Sequence, residues 1–160
     1  MTPPTGIVTF LFTDIEGSTK LSQQFAESYP AALEKHNLIL NKAVKSNNGF
    51  VFKTVGDAFC CAFQNADDAV IAACDIQKIL LNENWNEVVI KVRIGIHSGN
   101  AEWNGEDYMG YITLARVSRV MSAANGEQII ISKSTFDLIS ESISDKVSFR
   151  DLGERRLKDV

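Results

Sequence analysis

The sequence predicts an α+β fold, with one layer of helices on a mixed, mainly antiparallel sheet. Three observations carry that prediction. β-Forming residues run unbroken from Ile7 to Phe12 and stop at Asp14, the pattern of a strand buried on both faces. Residues 66–81 place apolar side chains at 66, 69, 70, 73, 76, 79 and 80, which is one buried helical face. In residues 88–98, Ile90, Val92, Ile94 and Ile96 alternate with Lys91, Arg93, Gly95 and His97, as on a strand with one apolar and one polar face.

Taken in order, the first strand runs into Asp14-Ile15-Glu16-Gly17-Ser18-Thr19, the chemistry of a tight turn opening a helix. Gly17 permits close backbone approach, and Ser18 or Thr19 can cap the helix. Residues 20–27 read as that helix, and Pro30 suits the first turn of a second. The second helix carries Ala31, Leu33, Leu38, Leu40, Ala43 and Val44 and stops at Asn47-Asn48-Gly49. Strands 50–55 and 58–63 flank Gly56-Asp57, a hairpin turn. Helix 66–81 and strand 88–98 come next. Residues 99–105 are rich in turn formers, with 101–103 a short strand between glycines. Residues 113–124 read as a helix closed by Asn125-Gly126. Strand 128–131 then leads to helix 132–139, which Ser132 can cap, while 149–160 shows weak regularity. The order β-α-α-β-β-α-β-α-β-α implies helices packed on a mixed sheet.

A chain of 160 residues, 45% hydrophobic and 22% charged, fits a single domain spanning 1–160 with a sizeable core. A net charge of −4 without a basic run argues against a general nucleic-acid binder. Cys60, Cys61 and Cys74 are odd in number and lack CxxC spacing, so they read as core residues in a reducing compartment. No basic leader and no apolar run near 18 residues is present, so neither a signal peptide nor a membrane segment is expected. The expected location is the cytoplasm. His36 and His97 lack ligand-like spacing, so neither reads as a zinc ligand; Trp85 and Trp103 read as packing or interface residues.

Asp14 and Asp57 each end an apolar strand beside a glycine. Two carboxylates on adjacent strand ends can hold two Mg²⁺ ions, which activate an attacking oxygen and neutralise a leaving one. The same residues also fit a plain Asx turn or helix cap at Asp14 and a hairpin aspartate at Asp57.

Six stretches together resemble the class III nucleotidyl (adenylate/guanylate) cyclase homology domain. Phe10-Leu-Phe-Thr-Asp-Ile-Glu-Gly-Ser-Thr19 and Phe52-Lys-Thr-Val-Gly-Asp-Ala58 are similar to its two metal motifs. Val92-Arg-Ile-Gly-Ile-His-Ser-Gly99 resembles its central strand. Ala115-Arg-Val-Ser-Arg-Val-Met121 and Gly126-Glu-Gln-Ile-Ile-Ile-Ser132 resemble its dimer-arm helix and next strand, and Leu152-Gly-Glu-Arg-Arg-Leu-Lys158 its closing motif. The match runs over residues 6–158 in the family's order.

The resemblance implies a ferredoxin-like sheet and cyclisation of a nucleoside triphosphate to a 3′,5′-cyclic monophosphate, with release of pyrophosphate. It implies a head-to-tail homodimer whose sites are shared between chains. Asp14, Asp57 and the Ile15 carbonyl would bind two Mg²⁺ or Mn²⁺ ions, and backbone N–H groups of Ile15, Glu16, Gly17, Ser18 and Thr19 would cradle phosphates. Lys53 and Asp107, from the other subunit, would read the base. A carboxylate accepts from an exocyclic amino group and lysine donates to the adjacent ring nitrogen, which fits adenine. Guanine mismatches both contacts, whereas cytosine offers the same pair on a smaller ring. ATP is thus favoured, with CTP or GTP as alternatives. Solvated, non-functional Lys53 and Asp107 are the bland alternative. Arg119 would stabilise charge on the transferring phosphoryl group, with Arg116 as competitor, and Lys158 would lie near the terminal phosphates.

Two departures stand out. The family's ribose-orienting asparagine is Ala115 here, and Tyr111-Ile112 adds one residue between Gly110 and Thr113. Losing such a positioning group costs ~10²–10³ in rate, although Tyr111 or Thr113 could supply a substitute. A weakly active enzyme, or an inactive nucleotide-binding and dimerisation module, is therefore the other reading. The ending just after the closing motif suggests a fragment of a longer protein carrying regulatory domains.

Overall fold

The structure, a computed structural model, describes residues 2–153. Lys158, with the end of the closing motif, lies outside the described residues. β1 (Gly6–Ile15) leads to α1 (Ser18–Gln24), α2 (Tyr29–Ser46), β2 (Phe50–Val55), β3 (Ala58–Phe63) and α3 (Ala66–Asn82). β4 (Val92–Trp103), β5 (Tyr108–Met109), α4 (Tyr111–Ser122), β6 (Ile129–Ile131), α5 (Lys133–Phe136) and α6 (Glu141–Ser144) complete the order.

The sheet runs β2-β3-β1-β4-β5, and β6 pairs with β4. Every pairing is antiparallel except β4–β6. β1 lies at the centre because both its faces are apolar. Leu11 and Ile15 join the cluster that α2 and α3 cover, while Val8 and Phe10 face the opposite cluster with Tyr108 and Val117 of α4. The mixed, mainly antiparallel sheet is as the sequence implies, but the helices form two layers. The supposedly polar face of β4 is where α4 packs. Gly95 makes this possible, since a Cβ there would lie 2.3 Å from the Met121 backbone nitrogen. Gly95→Ala is expected to destabilise the domain by roughly 1–3 kcal/mol through overpacking. A lowered urea midpoint would show it; an unchanged midpoint would mean α4 can shift away at little cost.

Several boundaries move. β4 begins at Val92 and continues through residues 101–103, so the expected separate short strand is its own extension. Val88 and Ile90 are buried without belonging to a strand. Ser18 and Thr19 sit inside α1 rather than capping it; Gly17, left-handed at φ 66°, holds the cap position. Ser132 occupies the cap position of α5 but makes no cap bond there. Its hydroxyl meets His97 Nδ1 at 2.7 Å instead.

Candidate active site

The end of β1 and the β2–β3 turn bring two acids, Asp14 and Asp57, to one corner. Asp14 pairs in register with Arg93 of β4. The guanidinium clasps it through both oxygens, Nε to Oδ1 at 2.7 Å and an Nη2 to Oδ2 at 2.5 Å. Asp57 comes after Gly56, whose φ of 60° turns the hairpin, and its Oδ2 accepts the Ile15 N–H at 3.0 Å. That bond latches the second acid onto the residue next to the first, so Asp14 and Asp57 do stand at one corner of the sheet. Glu16 is drawn aside: its Oε2 accepts the Gly126 N–H in the turn between α4 and β6. The Asp14 hydrogen bond, together with the charges of Asp14, Glu16 and Asp57, holds the Arg93 pKa above its ordinary value against the opposing effect of burial.

Two carboxylates beside a main-chain carbonyl form a hard oxygen donor set, suited to Mg²⁺ or Mn²⁺ carrying further oxygens from a substrate. Among the described residues no group of three His, Cys, Asp or Glu side chains gathers at a metal-binding spacing, and one or two carboxylates completed by water, backbone and substrate oxygens are the usual Mg²⁺ arrangement. Of the expected phosphate-cradling amides, Ile15 donates to Asp57 and Glu16 to the Lys91 carbonyl. The amides of Gly17, Ser18 and Thr19 belong to the cap and first turn of α1, where N–H groups have no intrahelical acceptor.

Lys53 and Asp107 meet as an ion pair, Nζ to Oδ2 at 2.8 Å, each side chain about half exposed. A register shift between Val51 and Lys53 makes this possible. Strict alternation would put Lys53 on Val51's side, against α2 and α3. With Phe52 as the extra residue, Lys53 instead stands opposite Cys60, on the α4 side. Phe52 then packs edge-on against Tyr108, with ring centroids 4.8 Å apart, and the next residue along, Asp107, reaches Lys53. The Asp107 carboxylate is oriented by the Tyr108 N–H at 2.8 Å. Its pKa is lowered chiefly by the Lys53 hydrogen bond, and that of Lys53 is raised by the same bond. A charged donor and a charged acceptor thus stand side by side.

Arg119 lies on α4, one turn beyond Ala115. The charge of Arg116 lowers the pKa of His97, after burial as the larger cause. Thr113 donates to the Asn100 carbonyl at 2.9 Å, so its proton is engaged within the chain, whereas Tyr111 is 84% exposed. His36 is buried with its ring edge-on to Phe59. The cysteines are unpaired, and burial pushes the Cys60 thiol up to about 11, which keeps it protonated. Among the described residues no helix is long and apolar enough to cross a membrane. The contribution of Arg93 escaped the sequence reading. Its one signal was a cation on the outer face of the alternating strand.

Residues 1–159 match the family profile described as the adenylate and guanylate cyclase catalytic domain. An uncharacterized protein of Mycobacterium tuberculosis is 34% identical over 158 residues, covering 98% of this chain and 53% of its own length. The chain therefore spans about half the length of these curated relatives. An adenylate cyclase of Schizosaccharomyces pombe is 29% identical over 191 residues, covering all of this chain and 11% of its own. Among solved structures, an adenylate cyclase of Trypanosoma brucei in its monomeric state superposes with a TM-score of 0.90 at 25% identity, over 100% of this chain and 87% of that one.

Proposed function

The chain belongs to the family of adenylate and guanylate cyclase catalytic domains, and on that premise we propose that it converts ATP to 3′,5′-cyclic AMP and pyrophosphate as a head-to-tail homodimer. The observation that carries the reading is the latch from Asp57 to the Ile15 amide, which sets a second carboxylate beside Asp14. Asp14, Asp57 and the Ile15 carbonyl would hold two Mg²⁺ or Mn²⁺ ions. Such ions, when bound, ease deprotonation of the ribose 3′-OH and offset the charge of the phosphates. The amides of Gly17, Ser18 and Thr19 would bind phosphate oxygens.

The partner chain would supply the rest of the site. Its Asp107 accepts from the adenine 6-amino group while its Lys53 donates to N1. Their mutual ion pair supports these roles, because it keeps one group an acceptor and the other a donor. Guanine presents O6 and N1–H, the opposite pair, and leaves both groups unsatisfied. Arg119 would meet the charge that grows on the transferring phosphoryl group. Lys158 would act near the terminal phosphates, and the site belongs on the cytoplasmic side. Regulation would come from domains elsewhere in a longer protein, which a relative of twice this length supports.

The deciding experiment offers ATP, GTP, CTP and UTP together with Mn²⁺ and identifies products by mass spectrometry. Cyclic AMP in excess supports the proposal; a GTP preference would overturn the roles of Lys53 and Asp107, and a CTP preference the choice of base. Lys53→Met is expected to lower kcat/KM for ATP by roughly 10–100-fold, the effect of one lost base contact. An unchanged ATP-to-GTP ratio in steady-state assays would remove Lys53 from base reading.

Ala115 favours a second reading, a nucleotide-binding and dimerisation module with little or no turnover. Thr113 is committed to Asn100, which leaves Tyr111 as the expected replacement at the ribose. If Ala115 limits the rate, Ala115→Asn should raise kcat by about 10-fold or more with little change in KM. No change in kcat would mean the ribose is already held.

A further inference from the structure

Arg93 engages both oxygens of the Asp14 carboxylate. Its position is set by the ladder, since Asp14 and Arg93 are direct antiparallel partners on β1 and β4. The planar fork matches the carboxylate edge to edge, Nε on Oδ1 and Nη2 on Oδ2, the bidentate geometry that makes such pairs strong. The side chains are 29% and 20% exposed for Arg93 and Asp14, so solvent screens the pair only in part. The charges of Glu16 and Asp57 act on the same guanidinium. Glu16 is tied to Gly126 and Asp57 to Ile15, so neither acid moves away readily.

These contacts have a consequence for a cation arriving at Asp14. Negative charges at one corner of a sheet repel one another unless a counter-charge is present; the guanidinium supplies that counter-charge for Asp14. A divalent ion on the same carboxylate would sit within a few ångström of it, two cations on one ligand. Asp14 therefore serves Arg93 or a metal ion well, but not both at once.

We infer that Arg93 is a placeholder counter-ion. It holds Asp14 in place in the substrate-free protein, and it must release Asp14 before a divalent ion can bind there. This rests on the reading of Asp14 and Asp57 as metal ligands. Arg93 is a positioning residue in this role, acting through Asp14. Metal binding and the Arg93–Asp14 pair are then reciprocally coupled, and the chain alone binds metal weakly because of the pair.

The test titrates the full chain, without nucleotide, with Mn²⁺ and monitors unbound Mn²⁺ by electron paramagnetic resonance. Arg93→Met is expected to bind Mn²⁺ about tenfold more tightly than the parent, within the usual range for coupled sites. Adding Asp14→Asn to Arg93→Met should abolish that gain. Equal or weaker binding by Arg93→Met, or a gain that survives Asp14→Asn, overturns the inference. Circular dichroism verifies the fold of each variant. Should Arg93→Met fail to fold, Arg93→Lys takes its place: it keeps the charge but cannot grip both oxygens, and a smaller gain supports the inference while no gain defeats it. The cyclase reading fails separately. A gain in Mn²⁺ affinity without any cyclic product from the parent removes the activity and leaves the placeholder standing; product without the gain does the reverse.

Discussion

Asp57→Asn is expected to lower cyclic AMP formation by roughly 10³-fold or more, the scale on which a member of an interdependent catalytic group acts. The substitution is chosen to separate chemistry from folding. Asp57 occupies a hairpin turn, and its Oδ2 accepts the Ile15 N–H. Asparagine keeps an oxygen in that position, so the latch survives and stability should change by no more than about 1 kcal/mol. The loss is one formal charge. A wild-type-like urea midpoint with abolished turnover would assign Asp57 to metal binding, and undiminished turnover would sink the two-carboxylate mechanism. Asp57→Ala should be equally inactive but also less stable, since the Ile15 amide then loses its acceptor.

Mixing two dead chains should restore activity. If each site takes Asp14 and Asp57 from one subunit and Lys53, Asp107 and Arg119 from the other, Asp57→Asn and Arg119→Ala damage different halves. Each variant alone carries two broken sites per dimer. Random association of equal amounts makes half the dimers mixed, and a mixed dimer has one intact site and one doubly damaged site. The expected recovery is thus about one quarter of the wild-type rate per chain, as a closed two-fold dimer requires. Recovery should track mixing time and rise with protein concentration. Failure to recover, with both chains folded and exchanging subunits, would put the complete site within one chain and contradict the shared arrangement.

Much of the fold was legible because its signals are local. The unbroken apolar run of β1, the period of α3 and the stop at Asn47-Asn48-Gly49 are all written within a few residues of where they act. The expected hairpin at Gly56-Asp57 joins β2 and β3. The prominence of Asp14 and Asp57 was legible too, since an acid that ends an apolar strand beside a glycine can be seen without coordinates. Assigning them to phosphate chemistry came from the family motifs, not from spacing.

Other features depended on parts of the chain far apart in sequence. Strict alternation puts Lys53 on the helix-covered face. The irregular pairing with β3 turns it to the other face, where it meets an acid 54 residues later. Arg93 was an outward cation on a half-buried strand until the antiparallel register set it against Asp14, 79 positions earlier. The polar-looking side of β4 is a packing surface because Gly95 admits the α4 backbone. Sequence alone determined most of the longer strands and helices and singled out the acids that end apolar strands, because side-chain period and backbone preference are short-range. Tertiary structure decided which charges face each other, because strand register, a single bulge and helix docking depend on long-range pairing that no local window contains.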